Sequence, residues 1–268
     1  MTPAPARPPE LRALVTGASS GIGAAFARGL RARGRRLVLV ARRGDRLRRL
    51  ADELGGPAEV AIVPLDLSAP GAGERLEREL GARGLAVDVL VNNAGVGHTG
   101  AFHEEPWERV LGMVDLNVRA VVDLTRRFLP GMVERGRGQV VNVVSTSAFQ
   151  PVPYLAVYAA SKAFLLSFTE ALASELRGSG VTVQALCPGL TGTEFQQVAG
   201  TDKVLFNRTG AMTPEAVAAC SLAALERESL RVVPGWQNRL VLRLQRLLPS
   251  TLIRRVAGQL FRPRPQAQ

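Results

Sequence analysis

The sequence predicts an α/β fold of the doubly wound kind, a Rossmann-like parallel sheet with helices on both faces. Three observations carry that prediction. Short runs rich in Val, Leu and Ile, apolar on both faces, recur along the chain, as strands of a covered parallel sheet require. Longer amphipathic segments bearing Arg and Glu separate them, so strand and helix take turns as in βαβ units. A glycine-rich turn then stands where the first strand should meet the first helix.

In chain order the strands are predicted at Ala13–Thr16, Leu37–Ala41, Val60–Leu65, Val87–Val91, Val140–Val144, Val181–Leu186 and Arg231–Val233. Helices are predicted over 21–33, 44–54, 71–83, 106–135, 157–177 and 213–227. No Gly/Ser or Pro linker interrupts 12–233, which reads as a single catalytic domain. Residues 1–11 are Pro-rich and read as a flexible N-terminal segment. Residues 234–268 read as a basic amphipathic extension, with Leu240, Val241, Leu244, Leu247 and Leu248 on one helical face. After Pro249-Ser250, a second piece carries Leu252, Ile253, Val256, Leu260 and Phe261. Arg239, Arg243, Arg246, Arg254, Arg255 and Arg262 border these faces. The extension either packs on the core or a sister subunit, or forms a hairpin that rests on anionic lipid or roofs a greasy cleft.

Composition narrows the classes. With 268 residues, 46% hydrophobic and 21% charged, and with 27 Gly, 17 Pro and 2 Cys, disorder, collagen-like repeats and a disulfide scaffold are excluded. Cys187 and Cys220 match no zinc or redox spacing and are expected as two buried thiols in a reducing compartment; no metal site is expected. The formal charge is +11, and Lys162 and Lys203 are the only lysines, so the basicity is that of arginine. Arginine stripes serve nucleic acid, anionic membrane or an anionic cofactor, but a solvated surface explains them as well, and no nucleic-acid partner is expected. No apolar run of about 18 residues could span a membrane. Met1–Arg12 lacks the apolar core of a signal peptide, so a cytoplasmic location is expected.

Thr16 to Gly23, with Gly17, Ser19, Ser20, Gly21 and Ile22 between, brings backbone N–H groups to a helix N-terminus without obstructing side chains, as a phosphate requires. The spacing is G-x-x-x-G-x-G rather than G-x-G-x-x-G. Gly17–Gly21 also satisfies the G-x-S-x-G of a hydrolase elbow. A hydrolase would need a base histidine late in the chain, and only His98 and His103 exist. At the end of the second strand Arg42 and Arg43 stand where an NAD-binding fold offers an acid to the ribose. A guanidinium pair there would clamp a 2′-phosphate and favours NADP over NAD.

Further along come Asn92–Gly95 after the fourth strand, Asn117, Ser145 after the fifth strand, and Tyr158-Ala-Ala-Ser-Lys162. On a helix, Tyr158 and Lys162 lie one turn apart on one face. The ammonium is expected to lower the phenol's pKa and so make Tyr158 a proton donor or acceptor near neutrality.

These residues, with Asp66 and with Pro188-Gly189 followed by Thr193, carry a resemblance to the single-domain short-chain dehydrogenases/reductases over about 13–193. The resemblance implies seven parallel strands in the order 3-2-1-4-5-6-7 and NADP(H)-linked interconversion of a carbonyl and an alcohol. It implies Tyr158 as general acid or base, with Ser145 polarising the substrate oxygen and Ser147 as runner-up. Lys162 would hold the nicotinamide ribose, and Asn117 would anchor a water of the proton relay. It also implies that the glycine turn meets pyrophosphate and adenosine, Asp66 and Leu67 adenine, Asn93, Ala94 and Gly95 the adjoining ribose, and Pro188, Gly189 and Thr193 the nicotinamide. A flap over 194–212, with Phe195, Val198, Val204, Leu205 and Phe206 and with Tyr154 and Leu155 facing it, would close on a lipophilic ketone or ketoacyl group. A homodimer or homotetramer is implied. A non-catalytic NADPH-binding sensor or scaffold is the competing reading.

Overall fold

In the computed structural model the structure describes residues 11–200, 211–245 and 247–262. The N-terminal segment through residue 10, Val204, Leu205 and Phe206 of the predicted flap, Lys203 and Arg246 lie outside them, as does the side chain of Val198.

Seven parallel strands form one sheet in the order β3-β2-β1-β4-β5-β6-β7. They are β1 (Arg12–Thr16), β2 (Arg36–Ala41), β3 (Val60–Pro64), β4 (Val89–Asn92), β5 (Gly138–Val143), β6 (Val181–Leu186) and β7 (Arg231–Val232). Both faces are covered, which is why the strands lack a polar alternation. On one face Leu37, Leu39, Val15 and Val141 pack with Phe26, Leu47 and Leu222 of α1 (Gly21–Arg31), α2 (Gly44–Glu53) and α8 (Pro214–Leu225). On the other, Leu14, Val38, Leu90 and Val140 pack with Leu76, Leu124 and Leu172 of α3 (Ala72–Ala82), α5 (Ala120–Glu134) and α6 (Ala156–Glu175). Burying one such side chain stabilises the fold by about 1.5–3 kcal/mol.

The helix predicted over 106–135 is divided. α4 (Trp107–Val114) leads into a wide π-helical turn at Asp115–Arg119 before α5 begins. The extra residue in that turn turns Asn117 inward, and it is completely buried. After β6 come the short α7 (Phe195–Ala199) and then α8. The C-terminal extension forms α9 (Trp236–Gln245) and α10 (Ser250–Phe261). α9 buries none of its residues and α10 buries only Ala257. Among the described residues no helix is long and apolar enough to cross a membrane. The two thiols are not alike: Cys187 is buried as expected, but Cys220 is exposed on the outer side of α8.

Strand order reverses between β1 and β4, and the loops leaving their C-terminal ends diverge there to open a crevice. Thr16 staples those loops together. Its Oγ1 donates to the carbonyl of Val91 (3.2 Å) and accepts from the N–H groups of Asn93 (2.9 Å) and Ala94 (3.0 Å). Below the crevice, a buried amide row runs from Asn92 through Asn142 to Thr169. It fixes the height of α6 against β4 and β5, and hence where Tyr158 and Lys162 sit.

Candidate active site

One cavity of about 990 Å³ runs from the glycine turn past Tyr158 to the C-terminal helices. All of the predicted site residues line it except Gly23 and Asn117. Those two stand just behind the wall and shape it.

At the first end, the turn is built for close approach. Gly17 has φ +65° and Gly21 φ +54°, conformations that glycine adopts without strain. A Cβ on Gly23 would stand 2.4 Å from the carbonyl oxygen of Gly17, so this position excludes any side chain. The N-terminus of α1 has no side-chain cap, leaving its first N–H groups and its partial positive charge facing the cavity. An uncapped helix end behind a turn opened by Gly17, Gly21 and Gly23 is what a pyrophosphate fits. Asn93 reaches back from β4 and donates through Nδ2 to the carbonyl of Thr16 (2.8 Å). Its side chain is therefore engaged in holding the turn, and Asn93, Ala94 and Gly95 all line the cavity.

Arg43 donates to the hydroxyl oxygens of Ser19 (3.1 Å) and Ser20 (3.0 Å), which places its guanidinium over the turn. Arg42 lies 4.0 Å from Asp66. Asp66 accepts from both the N–H (2.9 Å) and the hydroxyl (2.6 Å) of Ser68, and these bonds hold its carboxyl below the usual range against the opposing effect of burial. One oxygen of Asp66 thus closes a local turn while the residue borders the cavity with Leu67. Sequence reasoning missed Glu194 and Arg46. Glu194 accepts from Arg43 (2.9 Å) and from Arg46 (2.6 Å) across some 150 residues of chain, a pairing with no local signal.

At the second end, Tyr158 and Lys162 share a face of α6 as expected. The phenol, however, is not made more acidic. Burial pushes its pKa up to about 12, and the Ser145 hydroxyl only partly offsets that. Lys162 is itself pushed down to about 8 by burial. Its ammonium donates to the carbonyl of Val143 (2.8 Å) and sits 5.8 Å from the centre of the Tyr158 ring. The expected lowering of the tyrosine pKa is therefore corrected: burial raises it, and the hydrogen bond with Ser145 is what opposes the rise.

Ser145 ends β5 and caps the short turn Thr146–Phe149, where the N–H of Ser147 donates to its Oγ (3.1 Å). Asn117 uses its whole amide within the protein. Oδ1 accepts from the N–H of Val96 (2.9 Å), and Nδ2 donates to the carbonyl of Val96 (2.9 Å) and to Ser161 Oγ (3.1 Å). With both amide hydrogens engaged, the side chain positions the β4 loop against α6. Ser161 passes the tie on to the carbonyl of Tyr158 (2.7 Å).

Phe195 lies against Tyr158, ring centres 5.4 Å apart, and lines the cavity with Leu155. Tyr154 does not. It takes φ +66° and borders a separate, smaller pocket with Phe102 and His103. His98 meets Arg109 (3.0 Å) away from the chemistry. Pro188, Gly189 and Thr193 line the cavity beside the lysine, and Asn238 of α9 packs so close to Gly189 that a Cβ there would stand 2.4 Å from its Oδ1. The α9–α10 pair thus forms the outer wall of the cavity. Among the described residues no cluster of His, Cys, Asp or Glu could hold a metal ion.

Comparison with known families agrees with this arrangement. The short chain dehydrogenase family model matches residues 12–204. The chain belongs to the short-chain dehydrogenases. This makes it an oxidoreductase of alcohol and carbonyl groups, and the glycine turn that also fits a hydrolase elbow is the dehydrogenase turn. Among its relatives is the NADP-dependent 3-hydroxy acid dehydrogenase YdfG of Salmonella typhi, 39% identical over 214 residues, covering 75% of this chain and 84% of the relative. A short-chain dehydrogenase of Sphingobium yanoikuyae solved with NADPH superposes with a TM-score of 0.78 at 32% identity, covering 96% of this chain and 98% of that one. A bulky-bulky ketone specific alcohol dehydrogenase of Comamonas testosteroni superposes with a TM-score of 0.75 at 29% identity, covering 96% of each chain.

Proposed function

We propose that this short-chain dehydrogenase uses NADP(H) to reduce an uncharged, lipophilic ketone or ketoacyl group to the alcohol, with Tyr158 giving the proton. The observation that carries the reading is how one cavity divides. Its charged lining residues among those described, Arg42, Arg43, Asp66, Lys162 and Glu194, all lie along the cofactor half or at the catalytic helix. Beyond Tyr158 the wall is Phe195, Leu155 and, from α9–α10, residues such as Leu244, Leu248, Leu252, Val256 and Phe261, with uncharged polar groups such as Gln150 and Gln245 between them. A substrate carboxylate would lose water there and, among the described lining residues, meet no cation, a cost of several kcal/mol. The wall therefore supports a likeness to the bulky-ketone enzyme over the hydroxy acid enzyme.

For the cofactor, the glycine turn and α1 would hold the pyrophosphate and Arg42 and Arg43 the 2′-phosphate. Asp66 and Leu67 would take the adenine, and Pro188, Gly189 and Thr193 the nicotinamide. Bound NADPH supplies the hydride. The Tyr158 phenol, ordinarily protonated at neutral pH and pushed further from ionisation by burial, is in the state a general acid needs for reduction. Ser145, fixed by its cap, is set to hydrogen-bond the carbonyl oxygen, and Lys162 to hold the nicotinamide ribose from beneath. Asn117 acts by position, tying the β4 loop to the helix that carries Tyr158.

The protein is further proposed to act as a cytoplasmic homodimer or homotetramer. Between Glu228 and the end of the sequence there is no Asp or Glu to balance the arginines, which supports peripheral contact with anionic lipid through 239–262. Titration of nicotinamide fluorescence with NADPH and with NADH, with and without lipophilic ketones, tests the core of the proposal. NADPH binding about tenfold tighter than NADH, equivalent to about 1.4 kcal/mol, and ketone-dependent loss of NADPH are expected. A cofactor that binds but is not consumed by any ketone would favour the sensor reading.

A further inference from the structure

We propose that Glu194 is an internal stand-in for the cofactor's 2′-phosphate, held by Arg43 and Arg46 and displaced when NADP(H) binds; this rests on the assignment of Arg43 to that phosphate. The geometry is that of an anion in a two-guanidinium clamp. Arg43 Nη1 donates to Oε2 of Glu194 (2.9 Å) and Arg46 Nη1 to Oε1 (2.6 Å), one carboxylate oxygen for each cation. Arg43 is anchored independently by the Ser19 and Ser20 hydroxyl oxygens, so its guanidinium stays at the glycine turn when the carboxylate leaves. Arg46 has no other partner among the described residues and would follow whichever anion occupies the clamp. Hydrogen bonds from both arginines hold the Glu194 carboxyl below its usual range, which keeps it charged at neutral pH. A phosphate carrying charge of the same sign cannot enter while the carboxylate stays.

The position of Glu194 in the chain gives the exchange a further consequence. Its predecessor Thr193 sits over the turn, with Cγ2 3.0 Å from where a Cβ on Gly21 would stand. Its successor Phe195 lies against the ring of Tyr158. One carboxylate therefore pins a segment that touches the cofactor turn with one residue and the catalytic tyrosine with the next. A cofactor bearing the 2′-phosphate releases the pin, and one lacking it does not. Arg46 becomes a second ligand of the 2′-phosphate, and Glu194 a determinant of cofactor preference.

Calorimetric titration of the full-length protein with 2′,5′-ADP and with 5′-AMP separates the outcomes. For Glu194→Gln, 2′,5′-ADP is expected to bind about threefold to tenfold tighter than to wild type, the range of one or two half-exposed ion pairs. 5′-AMP should stay within about twofold. Arg46→Leu is expected to weaken 2′,5′-ADP and leave 5′-AMP alone. Unchanged or weaker 2′,5′-ADP binding by Glu194→Gln would overturn the proposal, and so would equal tightening of both nucleotides. Failure of the underlying assignment looks different: wild-type protein would then not distinguish 2′,5′-ADP from 5′-AMP.

Discussion

The two halves of the cavity are built in opposite ways. The cofactor half is a lattice of short polar ties. Thr16 and Asn93 lock the two loops at the point where strand order reverses, and Asn117 and Ser161 tie the β4 loop to the helix of Tyr158. The substrate half is a wall of two amphipathic helices with almost nothing buried beneath them; Leu252 and Val256 are 44% and 46% exposed because they face an open cavity rather than a core. Hydrogen bonds fix atoms to fractions of an ångström, as hydride and proton transfer demand. Apolar contact fixes only shape and size. On the proposed function, reaction type resides in the first half, and substrate choice in the second.

The largest effect that can test this division comes from Tyr158→Phe. Loss of the proton donor should lower kcat by at least about 10²-fold to 10⁴-fold while NADPH binding stays near wild type, measured by steady-state rates beside fluorescence titration. Comparable activity would remove the tyrosine from the chemistry. Next is Gly23→Ala, where the new methyl group meets the Gly17 carbonyl at 2.4 Å and the Asn93 amide at 2.5 Å. Binding of NADPH should be lost and the melting temperature should fall, since both contacts belong to the staple between β1 and β4.

A smaller, selective effect is expected from Leu252→Ser with Val256→Ser in the outer wall. Removing several methylene contacts at about 0.8 kcal/mol each should raise KM for bulky ketones about tenfold or more. NADPH affinity and the rate with a small ketone should hold. If the small ketone suffers equally, α9–α10 supports the catalytic frame and the two halves are not separable.

The smallest effect concerns stability and pH. Lys162 is pushed down to about 8 in the folded protein, whereas it returns to about 10.5 on unfolding. Between those values the unfolded chain takes up a proton that the folded one does not, so this residue makes stability rise as pH increases through that window. Tyr158, raised to about 12 from 10, acts in the opposite sense only above pH 10. Denaturation of wild type and Lys162→Met at pH 8 and pH 9.5 should show that the mutant has lost the rising component. Equal slopes would contradict a buried, desolvated lysine.

Most of the first half was legible in the sequence, because its signals are local. The seven apolar runs are the seven strands, shifted by no more than two residues at either end. Tyr158 and Lys162 share a helix face by spacing alone. What escaped depends on contacts between distant segments. The predicted long helix breaks at Asn117 because its amide pairs with Val96, across a loop that periodicity does not see. The tyrosine pKa rises because of burial, a property of the assembled cavity that spacing along the chain does not show. The Arg43–Glu194–Arg46 clamp joins the end of β2 and the start of α2 to a segment after β6. The amphipathic C-terminal helices were recognisable, but only the fold shows that their apolar faces look into the cavity over Tyr158.

The claim at the centre of this account is that a reaction frame held by hydrogen bonds is paired with an uncharged, lipophilic substrate wall. The most direct test is a comparison of NADPH-dependent initial rates on two ketones of one skeleton, one bearing a neutral bulky group and the other a carboxylate at the same place. A kcat/KM at least about 100-fold higher for the neutral ketone is the predicted result, since about 2.7 kcal/mol is less than the cost of desolvating the carboxylate against this wall. Equal rates, or a preference for the keto acid, would contradict it and place a cation in the substrate's path.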